Sequence, residues 1–357
     1  IIITQENKNQ YFYNLQKIFI YLIIFILLYK RIENFMRTNP IAAGINNASF
    51  SFSSKKDIKI IPSSKPSDLE KGVIRNLGIN PSDTVIRKFA NTETYVRIND
   101  DLRNKDVYLM PSSEQDVNEG IMEINLKADA AKRSGAKKVI AVLPNFPYAR
   151  QERRSEAGEP VSARVVIDTM IASGVDEFIT TDLHSSAIEG FAPSNHSFYH
   201  LSSLPLAIDY LNDKNLKDPV VVSPDEGGAK RAKKLADALG VKQATIQKTR
   251  IAHNSARALG LFGDVSDKDC IIYDDMIDTA GTISEASRLL KEKGANDIYI
   301  LATHGLFNGN AYQKLENAPV KEVIVTNSVP LKPNAPVKIK QIDSSAQISG
   351  AILDISA

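Results

Sequence analysis

Cysteine is nearly absent: Cys270 is the only one in 357 residues. A single thiol excludes an internal disulfide and a zinc cage of the multi-cysteine kind. Five histidines leave little material for a histidine-rich metal centre. From residue 57 onward there is no apolar run of the length a bilayer-spanning helix needs, about 20 residues. Excess charge of either sign is also lacking. The 44 Lys and Arg against 42 Asp and Glu leave a formal +2, which gives no broad basic field and does not imply nucleic-acid binding. What is present is a folding composition, 43% hydrophobic and 24% charged, which argues against global disorder.

Residues 1–56 differ from the rest. Ile18–Tyr29 is twelve apolar residues flanked by Lys17 and by Lys30 and Arg31, the length of a signal-peptide core rather than a spanning helix. Arg37–Ser64 is rich in Ser, Asn, Ala and Lys with one acid, Asp57, as in an organelle transit segment. The first Met is Met36. The segment is therefore expected to be disordered, and reads as translated upstream sequence ahead of a start at Met36, as a targeting leader, or as a membrane anchor. The expected location is the cytoplasm, or a plastid or mitochondrion if the leader is genuine.

The remaining length suits two domains. Strand-like and helix-like stretches alternate. Asp106–Met110, Lys138–Leu143, Glu177–Thr181, Pro219–Val222, Asp269–Tyr273, Asp297–Ala302 and Val320–Thr326 read as strands. Gly120–Ser134, Pro160–Ala172, Leu204–Leu211, Ala229–Leu239 and Ile283–Lys293 read as helices. Short continuous apolar runs suit buried parallel strands, so the alternation predicts an α/β chain with mainly parallel sheets and helices on both faces. A faint repeat accompanies it. Lys132–Phe146 parallels Lys291–Phe307, and Gly174–His184 parallels Pro319–Pro330. Two pairs in matching order point to two like-folded halves, with a boundary near residue 200.

The strongest motif is DDMIDTAGT, Asp274–Thr282, directly after one strand and directly before a helix. Parallel sheets place ligands at the carboxyl ends of their strands. The loop amides and the following helix N-terminus make an anion cradle, with Thr279 and Thr282 as extra donors. Gly281 can take a positive φ and lets the backbone come close to a ligand. Two acids beside such a cradle suit a sugar phosphate: the cradle takes the phosphate, and Asp274 and Asp275 accept from ribose hydroxyls. The bland alternative is a helix cap beside a solvated acid pair.

At these residues the chain resembles the ribose-phosphate pyrophosphokinase (phosphoribosyl pyrophosphate synthase) family, from about Ile58 to the end. The resemblance implies two similar phosphoribosyltransferase-like domains, 57–200 on the ATP side and 201–357 on the ribose 5-phosphate side. Lys88–Ile98 is similar to the family's adenine-side segment, with Asn91 and Glu93 as base contacts. Phe146–Arg154 resembles its ATP loop, with Arg150 and Gln151 on the nucleotide; guanidinium is a good fork for phosphate oxygens. His184 in TTDLHS and Asp225 in SPDEGG fall on positions serving magnesium. Asp274, Asp275, Asp278, Thr279, Ala280, Gly281 and Thr282 fall on the ribose 5-phosphate loop. Lys248 and Arg250 open a polar stretch ending near Gly263 that lacks apolar periodicity and reads as a mobile flap; the resemblance gives both a catalytic role. Lys230 and Arg231 read as helix-surface charges, and His304 as structural. The implied reaction is transfer of the β,γ-pyrophosphoryl group of ATP to the C1 hydroxyl of ribose 5-phosphate, with Mg2+ as cofactor, AMP as co-product and a homo-oligomer, dimer-based and up to a hexamer, as the assembly.

The chain departs from the family's pattern in places. Asn118-Glu119-Gly120 replaces Asn-Asp-Asn, Ala192–His196 replaces Asp-Ile-Pro-Val-Asp, Glu189 replaces a glutamine, and Glu226 an alanine. The charge of Glu189 disfavours an anion nearby. Phosphate activation, ADP inhibition and the hexamer therefore do not follow from the resemblance. Two rival readings are a nucleobase phosphoribosyltransferase, which would share DDMIDTAGT but needs no ATP loop, and a non-catalytic regulatory paralogue that binds synthase subunits.

Overall fold

The computed structural model describes residues 57–112, 116–250 and 257–357, without the side chains of 248–250 and 257–259. The segment 1–56, read above as leader, anchor or upstream sequence, lies outside the described residues.

Along the chain come β1 (Ile58–Ile61), α1 (Asp68–Leu77), β2 (Thr84–Lys88), β3 (Thr94–Ile98), β4 (Asp106–Leu109), α2 (Val117–Arg133), β5 (Lys138–Leu143), α3 (Ser162–Ala172), β6 (Glu177–Thr181) and β7 (Phe198–Leu201). Then follow α4 (Leu204–Asn212), β8 (Val220–Ser223), α5 (Ala229–Leu239), β9 (Lys242–Arg250), β10 (Arg257–Phe262), β11 (Cys270–Ile277), α6 (Gly281–Glu292), β12 (Ile298–Gly305), α7 (Ala311–Glu316), β13 (Glu322–Thr326), β14 (Ile339–Ile342) and α8 (Ser345–Ile355).

Two main sheets result. The first has the order β1-β4-β5-β6-β7 and is parallel throughout. The second has the order β10-β9-β8-β11-β12-β13-β14, parallel except for its β9–β10 edge. β2 and β3 form a separate antiparallel ribbon.

Side chains alternate across each sheet and are buried on both faces. Val107, Leu109, Val139 and Ala141 pack with α2 and α3, whereas Tyr108, Ile140 and Val142 pack with α1 on the opposite face. In the second sheet, Val220, Val222 and Ile272 meet α6 and α7, while Val221, Ile271 and Tyr273 meet α4 and α5. Each fully buried aliphatic side chain contributes about 1.5–3 kcal/mol, which is why the continuous apolar runs of the sequence become central strands.

The last helix crosses back. Ile348 and Ile352 of α8 belong to the cluster under the first sheet, and the Tyr108 hydroxyl donates to the Ile352 carbonyl at 3.2 Å. The approach to α1 is close enough that a Cβ on Gly72 would lie 2.6 Å from the Cβ of Ser345.

The stretch read as a flap has regular structure on both arms. The polar stretch from Gln247 to Gly263 is not loop throughout. Lys242–Arg250 and Arg257–Phe262 pair as two antiparallel strands. Cross-strand pairing decides strand formation more than apolar periodicity does, and the pairing of these two arms is not encoded in either one alone.

Candidate active site

In the second sheet, β8 is flanked by β9 on one side and β11 on the other, so the chain order reverses between β8 and β11. The carboxyl ends of strands at such a switch point leave a crevice. Here it is a cavity of about 470 Å³, walled by Arg150, His184, Asp225, Arg231 and the segment Asp274–Ile283. That segment is loop only at Asp278–Ala280: Asp274 and Asp275 lie within β11, which runs four residues beyond the strand expected from the sequence because it continues its ladder with β12, and Gly281 opens α6.

The loop's backbone is set by Ala280, which adopts the left-handed conformation (φ 57°, ψ 14°) as the residue before α6. The positive φ that Gly281 is able to take falls one residue earlier, on Ala280. A non-glycine residue held there carries strain of about 1–2 kcal/mol. Gly281 serves by openness instead: a Cβ placed on it would meet nothing nearer than the Lys314 Nζ at 3.8 Å. The first amides of α6 have no intrahelical acceptor, and its N-terminus carries partial positive charge. The Lys314 ammonium adds to that charge, donating to the Thr279 carbonyl at 3.1 Å.

Asp225 follows β8. Its Oδ1 accepts the Gly228 amide at 2.9 Å, and a Cβ on Gly228 would come within 2.9 Å of the Ser223 Oγ. A side chain there would push the Ser223 hydroxyl off the Asp225 carbonyl, to which it donates at 2.6 Å.

Arg231 is not the helix-surface charge expected from the sequence. Its Nη1 donates to Asp274 Oδ1 at 3.1 Å and to Asp275 Oδ1 at 3.0 Å, with 24% of its side chain exposed. Lys230, its neighbour, is exposed. The helical phase holds the missed signal, because Arg231 lies four residues before buried Leu235 and so shares its face.

His184 completes the acid cluster from the first sheet. Its Nδ1–H donates to Asp275 Oδ2 at 2.7 Å. That hydrogen bond holds the imidazolium form of His184 above its ordinary range, against the opposing effect of burial. Burial raises the Asp275 carboxyl, but the bond from His184 and the charge of Arg231 outweigh it and hold Asp275 well below the usual range. Asp274 is pushed up, first by burial and then by the hydrogen bond and charge of Asp275. Asp275 is 3% exposed, and both its oxygens are already bonded. It therefore orients His184 and Arg231, while Asp274, with 21% of its side chain exposed, keeps the more accessible carboxyl group.

Arg150, from the loop between β5 and α3, donates to Asp278 Oδ2 at 2.8 Å. Asn308, which the sequence did not single out, donates to Asp278 Oδ1 at 2.9 Å. Glu152 also lines the cavity. Gln151 is turned to Ser162, whose hydroxyl donates to its side-chain carbonyl at 2.7 Å. Asn91 and Glu93 sit in the exposed turn of the β2–β3 ribbon, where the Asn91 Oδ1 accepts the Glu93 amide at 3.3 Å. The structure does not bring them into the cavity wall. The backbones of Lys248 and Arg250 lie on β9, but their side chains lie outside the described residues.

Comparison with known proteins agrees with this arrangement. Residues 58–174 match the family model described as the N-terminal domain of ribose phosphate pyrophosphokinase, and residues 250–357 match that of the phosphoribosyl synthetase-associated domain. A ribose-phosphate pyrophosphokinase of Aquifex aeolicus is 39% identical over 297 residues, covering 83% of this chain and 94% of that protein. One of Synechococcus elongatus is 41% identical over 276 residues, covering 77% and 83%. The crystal structure of phosphoribosylpyrophosphate synthetase from Mycobacterium smegmatis superposes with a TM-score of 0.77 at 35% identity, covering 83% of this chain and 98% of that one. Its parallel sheets, its switch-point cavity and these relatives together establish that the chain belongs to the ribose-phosphate pyrophosphokinase family.

Proposed function

We propose that the chain makes 5-phospho-α-D-ribose 1-diphosphate and AMP from ATP and ribose 5-phosphate. The C1 hydroxyl oxygen attacks the β-phosphorus, the bond from that phosphorus to the α-phosphate oxygen breaks, and AMP leaves. The observation that carries this reading is the direct bonding of first-sheet residues to the second-sheet seat: Arg150 to Asp278 and His184 to Asp275. A sugar phosphate on Asp274–Thr282 would lie where Arg150 and His184 can hold a triphosphate beside it. Catalysis is then mainly placement of the two substrates and neutralisation of charge.

The residues fit magnesium carried in on phosphate. With Nδ1 bonded to Asp275, His184 keeps Nε2 as its ligand atom, and Asp225 faces the same cavity. Among the described residues no set of three or more His, Cys, Asp or Glu is placed to hold a metal ion. Mg2+ typically takes one or two protein ligands and fills its octahedron with phosphate oxygens and water. When bound, the ion reduces phosphate repulsion against the incoming hydroxyl. Lys248 and Arg250 are assigned to the transferring group and to the sugar phosphate or nucleotide. Asn91 and Glu93, placed outside the cavity wall, are assigned to the adenine of a neighbouring copy's nucleotide, so the working unit is at least a dimer.

The test is AMP release by the purified chain with ATP, Mg2+ and ribose 5-phosphate. Lys248→Ala should lower kcat by about a hundredfold or more while ribose 5-phosphate binding changes little. Near-normal kcat in that variant would refute the assignment of Lys248.

A further inference from the structure

The segment carrying His184 is held by two other imidazoles. Thr181 ends β6, and Asp182 turns the chain through a positive φ of 38°. Such a turn persists only where surrounding contacts over-determine it. The Asp182 Oδ2 accepts from the Ser203 amide at 3.0 Å and from the Thr303 hydroxyl at 2.7 Å. His304, buried to 2% exposure, donates through Nε2 to the Thr181 carbonyl at 3.0 Å. The next peptide, at Leu183, is fixed differently. Its N–H donates to the Nε2 of His200 on β7 at 2.9 Å.

For Nε2 to accept, His200 must carry its proton on Nδ1. That proton goes to the Glu189 Oε1 at 2.7 Å. Glu189 lies in the 3₁₀ turn Ser186–Phe191, which directly follows the His184 loop. A carboxylate on one ring nitrogen thus fixes the tautomer, which makes the other nitrogen an acceptor. Leu183 is 5% exposed, so its amide has no ready replacement partner, and a buried unpaired N–H is costly. The negative charge of Glu189, read from sequence as hostile to anions, has a defined partner here.

We infer that Glu189 and His200 are a positioning pair: Glu189 sets the tautomer of His200, His200 anchors the Leu183 amide, and that anchor places His184 against its ligand. This rests on the reading of His184 under the proposed function.

The experiment measures initial rates of AMP formation by the full chain, with ATP and ribose 5-phosphate each varied at saturating Mg2+. His200→Phe keeps a ring without an acceptor, and should lower kcat/KM for ATP by about tenfold while KM for ribose 5-phosphate moves by less than about twofold. His200→Gln supplies a side-chain carbonyl, and should recover to within about threefold of wild type. Glu189→Ala, on a surface turn, leaves the ring but frees its tautomer, and should lose about threefold or more in kcat/KM for ATP; this variant keeps the test decisive if His200→Phe does not fold. Indifference of both His200→Phe and Glu189→Ala, or a His200→Gln variant as impaired as His200→Phe, would overturn the inference alone. Wild-type chain that releases no AMP would overturn the reading of the reaction, and the positioning role with it.

Discussion

Arg150 and Asp278 meet across the seat at 2.8 Å, a guanidinium from the loop after β5 against a carboxylate from the loop after β11. Each is also the group proposed to hold one substrate, so a substrate phosphate that takes Arg150 must draw it from Asp278. The Arg150 side chain is 57% exposed, which limits such a pair to about 1 kcal/mol or less, up to about fivefold in affinity. Asp278→Asn should therefore tighten binding of a non-hydrolysable ATP analogue with Mg2+ by about two- to fivefold when ribose 5-phosphate is absent. Calorimetric titration reads this directly. Unchanged or weaker nucleotide binding would show that the pair does not compete with the nucleotide.

Arg231 keeps two adjacent, largely buried carboxylates together. Removing one partner from a buried ionic cluster leaves charge uncompensated, at a cost of about 3–5 kcal/mol in a dry interior. With a quarter of Arg231 exposed, Arg231→Met should cost on the order of 2–3 kcal/mol at pH 8. The loss should shrink toward pH 5, because the uncompensated carboxylates can then take up a proton in the folded state. Arg231→Lys retains the charge without the fork and should recover part of the loss. Urea unfolding at the two pH values measures all three effects.

The His184 imidazolium is held by Asp275, so its folded pKa lies above its unfolded value of 6.5. Stability from this contact is complete below the unfolded value and is lost as pH rises through the folded one. The stability gap between wild type and His184→Asn should accordingly be larger at pH 6 than at pH 9. Mg2+–nucleotide binding should run the opposite way, strengthening over the same interval as Nε2 loses its proton. A flat wild-type profile in both measurements would remove His184 from the metal–nucleotide contact.

Cys270 begins β11 in the core, where burial first and the charge of Asp269 next push its thiol up to about 12. The folded chain should resist a thiol reagent at pH 8 and release one equivalent of reactive thiol on unfolding. Rapid labelling of the native chain would mean that β11, and with it the acid pair, opens locally.

The central parallel strands and the DDMIDTAGT loop were legible because burial on both faces and a strand–loop–helix junction each leave a local pattern. What escaped depends on partners distant in sequence. Arg231 stands among Lys230, Lys233 and Lys234, and only its helical phase separates the inward charge from the outward ones. β9 and β10 stabilise each other across an antiparallel ladder between residues up to 17 apart in sequence, such as Thr245 and Phe262. The bond between Leu183 and His200 joins residues 17 apart through a tautomer that Glu189 selects, and no periodicity encodes it. In the seat loop, Gly281 is the residue intrinsically suited to a left-handed turn, yet Ala280 adopts it. The junction with α6 and the closed packing of Ala280, 5% exposed, override local preference.

The return of α8 to the first sheet ties synthesis to folding. Strands β1 and β4 and helix α1 emerge early from the ribosome, but Ile348 and Ile352 cap their shared apolar face only after nearly the whole chain has been made. Until then that face is open to water and to chaperones. Nonsense mutations ahead of residue 345 should thus yield an aggregation-prone amino-terminal layer, however intact its own strands.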